Sequence, residues 1–124
     1  MRGLIIAAAL AVLASGTAQA ETNKGALGAR FLADMCIEKP AKGQKYSPGE
    51  LLCKYFVRGF ADGMVANSLL NKSKSCVDEG LLADELVAIV LKSYNNHPER
   101  HSWSASELTT IAFAETFCPI GKES

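Results

Sequence analysis

Four cysteines constrain this chain more than any other feature of its 124 residues. All of them follow residues 1–20, which have the pattern of a secretory signal peptide: a positive charge at Arg2, an apolar run, and a small-residue cleavage motif. Cleavage between Ala20 and Glu21 predicts a mature domain of residues 21–124. An even number of cysteines in a small exported domain predicts disulfides and a stapled fold in an oxidising compartment.

Length, hydropathy and charge exclude several classes of function. The apolar run of the signal, residues 4–13, is too short to span a bilayer, and we expect no stable membrane insertion. The whole chain carries 13 basic and 13 acidic residues. A chain without net charge lacks the basic surface that nucleic-acid binding requires, so we expect no nucleic acid as a partner.

Four segments carry helical periodicity or helix-end signals, and none has the two-residue period of a strand. The predicted helices span about residues 23–37, 47–70, 83–95 and 104–118. Ser47 with Glu50, and Ser104 with Glu107, have the spacing of capping boxes, in which two side chains satisfy free backbone N–H groups of the first turn. The predicted fold class is therefore all-α, a small four-helix domain stapled by two disulfides.

The apolar residues of each helix predict which face is buried. The first helix is expected to pack through Leu27, Phe31 and Met35, with Leu32 and Cys36 beside them. The second is expected to pack through Leu52, Tyr55, Phe56, Phe60, Met64 and Leu69. Gly59 and Gly63 lie inside the second helix, where each costs roughly 1 kcal/mol relative to alanine. We expect the close approach of another helix to offset that cost.

Four cysteines allow three disulfide connectivities. Short loops make neighbouring helices antiparallel, which brings the end of one helix close to the start of the next. This favours the pairs Cys36–Cys53 and Cys76–Cys118. The second choice is Cys36–Cys118 with Cys53–Cys76, which requires the chain to fold back along the second helix, roughly 30 Å long.

No residue pattern indicates a catalytic or metal site. There is no CxxC pair, and the export signal favours disulfides over zinc. His97 and His101 are interrupted by Pro98, which indicates a turn with two solvated histidines rather than a metal-binding helix. Arg58 and Asp62 are read as a surface ion pair. We therefore expect no catalytic residue, no metal and no cofactor, and a protein that is not an enzyme and acts by binding.

Several motifs resemble one family. Residues 53–63 contain Cys53, Tyr55, Gly59 and Asp62 in the order C-x-x-Y-apolar-x-G-x-x-D, which resembles the Rap/Tai immunity proteins of type VI secretion. Further blocks resembling that family are residues 76–80, 85–90, 94–99 with His97 and Pro98, and 112–118. Two positions depart from its pattern, namely Cys118 before Pro119 instead of after a proline, and Leu82 where a threonine often caps the third helix.

The resemblance implies a periplasmic immunity protein. Such proteins bind and occlude a secreted peptidoglycan amidase effector, protect the cell and its sisters, perform no catalysis, and often form homodimers. The residues that contact the effector do not transfer between family members. The loops at residues 39–46, 71–75 and 95–102 are the candidates in this chain. The alternatives are a periplasmic acid-stress chaperone of the HdeA type, an inhibitor of another envelope hydrolase, and an orphan immunity protein.

Overall fold

The helices occur in the predicted order. A computed structural model describes residues 26–119, with α1 at Ala29–Ile37, α2 at Pro48–Leu70, α3 at Ala83–Asn96 and α4 at Ala105–Phe117. A 3₁₀ turn, Pro98–Ser102, joins α3 to α4. The prediction of an all-α fold is confirmed for this part of the chain, which contains no strand. The signal and its cleavage site, Ala20 and Glu21, lie outside the described residues.

Side chains define the helix starts, although only one predicted capping box is complete. At α4, Ser104 Oγ accepts from Glu107 N at 3.1 Å, and Glu107 accepts from Ser104 N at 2.9 Å. At α2, Ser47 Oγ accepts from Glu50 N at 3.0 Å. The Glu50 carboxylate pairs with Lys54 instead of closing the box. Half of the predicted box at Ser47 is therefore present.

The buried faces of α1 and α2 differ in part from those that the sequence predicts. In α2 the buried stripe runs through Cys53, Val57 and Ala61, whereas Tyr55 is 73% exposed. The other predicted core residues with exposed side chains are Phe31, Leu52 and Leu69. The core combines alanines with larger residues from every α-helix: Ala29, Leu32, Ala33, Cys53, Val57, Ala61, Leu86, Val90, Ala105, Leu108, Ala112 and Phe113. Small residues allow the helices to approach closely, which leaves several large apolar side chains outside.

The expected explanation for Gly59 and Gly63 is wrong within the described chain. Both glycines are exposed, and a Cβ atom built on either would meet no atom within 4 Å. No helix of the described residues approaches them, because the core lies on the opposite side of α2, at Val57 and Ala61.

The favoured disulfide pairing is confirmed. Cys36 bonds to Cys53 and Cys76 bonds to Cys118, with Cα–Cα distances of 5.1 and 5.5 Å. The first bond ties the end of α1 to the first turns of α2. The second ties the segment before α3 to the end of α4. The short connections place these ends together, as the antiparallel argument requires.

Backbone pairing joins the start of α1 to the start of α4. Ala29 N donates to Trp103 O at 2.8 Å, and Ala105 N donates to Leu27 O at 2.7 Å, so the start of α1 lies beside the start of α4. Within residues 26–119, no helix combines the length and the apolar character needed to cross a membrane.

Candidate functional site

A charged cluster lies where the 3₁₀ turn meets α3 and α4. We define the Arg100 cluster as Ser93, Arg100, Trp103 and Glu115. The guanidinium of Arg100 makes two bonds to the Glu115 carboxylate, at 2.5 and 3.1 Å, and donates to Ser93 Oγ at 2.7 Å. It also lies 5.4 Å from the centre of the Trp103 ring. Arg100 is only 7% exposed, so these bonds compensate a charge that is almost fully removed from water.

The electrostatics of this cluster favour the ionised carboxylate. The Arg100 guanidinium lowers the pKa of Glu115, whose side chain is 53% exposed. Arg100 Nε is buried without a hydrogen-bond partner among the described residues. This pair was not predicted from the sequence, because an arginine and a glutamate 15 residues apart on different elements have no local pattern. The cluster has a structural role, because its hydrogen bonds connect α4 to the 3₁₀ turn.

The two histidines have different environments. His97 Nδ1 lies 2.9 Å from Glu99 Oε1, and a backbone hydrogen bond at Glu99 together with His97 lowers the pKa of Glu99. His101 stacks on Tyr94 with ring centroids 3.9 Å apart, and its Nε2 lies 2.9 Å from Tyr94 O. The prediction of a solvated loop histidine is therefore wrong for His101, which packs against α3.

The described side chains form no metal-binding cluster, and the serine and histidine that share a cleft are not paired with each other. Residues 26–119 contain no group of three or more histidine, cysteine or acidic side chains that could hold a metal ion. Ser93 shares a cleft with His97, but its hydroxyl accepts from Arg100, and the His97 ring is engaged with Glu99. A nucleophile needs a base within hydrogen-bond reach. Neither of these two residues has the arrangement that such a pair requires.

An exposed arm follows the buried part of α2. We define the arm as residues 62–75, the second half of α2 and the turn after it. The buried residues of α2 end at Ala61, and Leu69 and Leu70 are 72% and 83% exposed. Only a few side chains on one side of the arm, Met64 and Val65 among them, pack against the core. The arm therefore presents most of its surface to solvent.

Backbone hydrogen bonds close the tip of the arm. Ser73 N donates to Ser68 O at 2.9 Å, and Lys72 N donates to Leu69 O at 3.1 Å. These two bonds, together with a residue of left-handed backbone conformation directly after the helix, form a Schellman motif. Lys72 takes the left-handed position, with φ of 52°, where glycine is the usual residue. The turn has a defined conformation and presents two lysines, Lys72 and Lys74, without an acidic residue between 71 and 75.

Polar contacts and a disulfide anchor the base of the arm. Arg58 donates to Leu81 O at 2.9 Å and pairs with Asp62 at 3.1 Å, which confirms the predicted ion pair. Lys54 pairs with Asp84 at 3.0 Å, and that hydrogen bond raises the pKa of Lys54. The Cys76–Cys118 bond follows the arm directly. The arm is therefore fixed to α3 and α4 at its base and exposed at its tip.

The family-motif positions fall into two groups. Tyr55, Gly59 and Asp62 lie on the exposed outer side of α2. His97 caps α3, and Pro98 begins the 3₁₀ turn beside the Arg100 cluster. The structure therefore does not bring these five positions together into one site.

The three candidate contact loops also differ. Residues 39–46 are exposed, and Tyr46 at their end lies beside Lys45 and Lys54, with the Lys54 ammonium 4.7 Å from the ring centre. Residues 71–75, together with Leu69 and Leu70 at the end of α2, form the tip of the arm. Residues 95–102 are not a loop, because they comprise the end of α3 and the 3₁₀ turn that buries Arg100. The interpretation of residues 95–102 as an irregular loop is wrong, and their role as a contact surface stays a prediction.

Comparison with known proteins finds one family. Residues 28–118, which include the four α-helices of the described residues and both disulfides, match the family of Rap1a immunity proteins. No curated protein and no solved structure is similar enough to count as a match.

Proposed function

The chain belongs to the family of Rap1a immunity proteins, and from this premise we propose that it is a periplasmic immunity protein against a type VI secreted peptidoglycan amidase. It binds the effector and occludes its active site, which protects the producing cell and its sisters. Family membership implies immunity against a type VI effector. The amidase target, the periplasmic location and the contact surface are parts of the proposal.

The observation that supports occlusion is the geometry of the arm. An active-site cleft is blocked most directly by a narrow protrusion that keeps its shape, because a flexible segment loses conformational entropy when it binds. The arm has a hydrogen-bonded tip and a disulfide at its base. Its tip carries Leu69 as an apolar contact beside Lys72 and Lys74. We expect it to dock against an acidic rim around an apolar cleft.

Binding without catalysis agrees with the chemistry of the described residues. The charged groups near the 3₁₀ turn are engaged in structural pairs: Arg100 with Glu115, and His97 with Glu99. The family is generally non-enzymatic. We therefore propose that this protein inhibits by steric occlusion alone, as a homodimer, without a cofactor.

The decisive experiment measures peptidoglycan cleavage by candidate amidase effectors in the presence of the purified oxidised protein. The wild-type protein is expected to form a tight complex and to abolish cleavage. Leu69→Glu places a charge on the tip and is expected to weaken inhibition. Leu82→Glu is the matched control, because Leu82 is 69% exposed against 72% for Leu69 and lies outside the arm. Circular dichroism confirms that both variants fold.

The outcomes separate the proposed function from its alternatives. Inhibition by Leu69→Glu that equals that of Leu82→Glu and the wild type would remove the arm as the contact surface and leave occlusion intact. Absence of any complex with amidases, together with inhibition of another envelope hydrolase, would contradict the target. Suppression of client aggregation near pH 2, without any effector complex, would instead support the acid-stress chaperone.

A further inference from the structure

The connection between α1 and α2 carries positive charge that no acidic side chain of the described residues neutralises. Lys39, Lys42 and Lys45 are exposed, and no acidic residue occurs between residues 39 and 49. Within residues 26–119, none of these three lysines forms an ion pair. The carboxylate of Glu38 is not directed at them, because it lies over Gly49, in the space that a Cβ atom there would occupy.

Exposed apolar side chains flank these lysines. Ile37 and Leu52 are 63% and 58% exposed. Each is the sequence neighbour of a cysteine in the first disulfide, which holds the end of α1 beside the first turns of α2. Tyr46 is also exposed, with its ring centre 5.4 Å from Lys45 Nζ. We define the basic patch by six residues: Ile37, Lys39, Lys42, Lys45, Tyr46 and Leu52.

This combination of side chains is complementary to the surface of a bilayer that contains anionic phospholipid. Lysine is a point charge on a flexible stem, whereas arginine suits sites that hold a phosphate or carboxylate in a fixed geometry. The basic patch contains three lysines and no arginine, which fits lipid phosphates that have no fixed arrangement. A tyrosine side chain suits the boundary between lipid and water, because its ring is apolar and its hydroxyl is polar.

The position of the basic patch allows it to bind a partner other than the effector. Residues 39–46 directly precede α2, and the tip of the arm follows the same helix. A helix of 23 residues is roughly 34 Å long. A partner bound at the basic patch is therefore remote from the tip, and both surfaces can be occupied at once.

We propose that the basic patch binds the surface of a bilayer containing anionic phospholipid. The lysines contact headgroup phosphates, while Ile37, Tyr46 and Leu52 enter the boundary between headgroups and acyl chains, so that the contact is peripheral and reversible. It holds the protein at the membrane with the tip of the arm free. Lipid binding does not involve the effector, so its test does not rest on the proposed function.

The first test measures co-sedimentation of the oxidised protein with vesicles. The protein is purified after export, and mass spectrometry confirms that residues 1–20 are absent, because an attached signal peptide would itself bind lipid. Vesicles of phosphatidylglycerol and phosphatidylcholine in equal amounts should bind the protein, and vesicles of phosphatidylcholine alone should not. Raising the salt concentration should weaken the binding, because salt screens exposed charges.

Neutralising the lysines of the basic patch should have a large effect. Each lysine near an anionic surface contributes about fivefold to binding, so the triple variant Lys39→Gln, Lys42→Gln and Lys45→Gln should bind roughly a hundredfold more weakly.

The matched control removes the same number of charges elsewhere. The triple variant Lys72→Gln, Lys74→Gln and Lys92→Gln changes three exposed lysines outside the basic patch and should bind vesicles nearly as well as the wild type. Circular dichroism confirms that both triple variants fold. Equal losses in the two would mean that net charge rather than the basic patch determines binding, and would overturn the proposal.

The second test concerns the apolar side chains. Ile37→Ser with Leu52→Ser should weaken binding to the anionic vesicles by about tenfold, because less apolar surface enters the bilayer. Leu69→Ser with Leu82→Ser removes two exposed leucines outside the basic patch and should bind normally. Normal binding by the first variant would contradict the entry of Ile37 and Leu52 into the bilayer.

Two further results would overturn the proposal as a whole. One is a wild-type protein that binds neither kind of vesicle at low salt. The other is equal binding to both kinds. If the wild type binds no vesicle and the triple variant of the basic patch loses inhibition of the effector, the patch belongs to the effector interface instead.

Discussion

The Arg100 cluster and the arm use charged and apolar residues in opposite ways. In the cluster a buried guanidinium is bonded to a carboxylate and a hydroxyl, and these bonds hold the turn and α4 together. In the arm, leucines and lysines are exposed around a hydrogen-bonded tip. The cluster has its partners within the chain, whereas the surface of the arm is available to another molecule. The difference separates the scaffold from the surface that we propose for recognition.

The disulfide between the two regions gives the largest expected effect. Replacing Cys76 and Cys118 by alanine opens a loop with a sequence separation of 42. The loss of chain entropy in the unfolded state that this disulfide causes stabilises the fold by about 4 kcal/mol. We expect the free energy of unfolding, measured in urea, to fall by about that amount. Hydrogen exchange should accelerate more in residues 62–75 than around Arg100, because the arm has no other covalent anchor. A loss below about 1 kcal/mol would show that packing alone holds the base of the arm.

The ion pair of the cluster should respond unequally to the loss of each partner. Glu115→Ala leaves Arg100 buried without its carboxylate, and we expect a loss of about 2 kcal/mol in the free energy of unfolding. Arg100→Met should cost less, because the half-exposed Glu115 can return to water while the methionine keeps part of the packing.

The double variant Arg100→Met with Glu115→Ala is the control for this comparison. It should be more stable than Glu115→Ala alone, because it leaves no buried charge unpaired. If the two single variants cost the same and their effects add, the cluster does not act as a coupled pair.

Acid should weaken the same pair without removing an atom. The pKa of Glu115 is lower in the folded chain than its ordinary value, so the pair stabilises the fold above that ordinary value. The stabilisation is lost as the pH falls through the pKa of the folded state. A protonated carboxyl still accepts hydrogen bonds, and we therefore expect a smaller effect than that of Glu115→Ala.

The measurement compares urea unfolding of the wild type and Glu115→Gln at neutral pH and at acid pH. The gap in stability between them should shrink in acid, because glutamine has no proton to gain. A constant gap would mean that the charge of Glu115 contributes nothing beyond its hydrogen bonds.

Local signals in the sequence were sufficient for some features of this fold. The spacing of Ser104 and Glu107 predicted the start of α4, and short loops selected the pairing of Cys76 with Cys118. The buried face of α2 could not be predicted, because apolar residues surround that helix and periodicity cannot choose among them. The buried face of α2 is decided by packing: Val57 contacts core residues that the other helices supply.

The candidate surfaces also divide into those predicted from local sequence signals and those that depend on tertiary packing. Residues 71–75 were recognised from their polar composition, which is local information. Arg100 and Glu115 were missed, since their pairing depends on how the turn and α4 pack against each other. Exposure of Leu52 and Leu70 was also unpredictable, because it follows from the small residues that form the buried stripe elsewhere on α2.

The smallest expected effect concerns the tip of the arm. Lys72 has a positive φ of 52°, a conformation that costs a residue with a Cβ atom about 1 kcal/mol. Lys72→Gly should therefore raise the free energy of unfolding by up to that amount, less the entropy that glycine adds to the unfolded chain. Lys74→Gly removes the same charge from the same turn at a residue without positive φ, and it should give no gain.

The pair of lysine variants also tests why the arm retains a lysine in a position suited to glycine. If Lys72→Gly stabilises the fold but weakens inhibition of the effector more than Lys74→Gly does, the charge at residue 72 contributes to binding at the expense of stability. If both variants inhibit like the wild type, the tip contacts the effector through its shape and through Leu69. Equal stability of the two variants would instead mean that the left-handed turn costs this chain nothing.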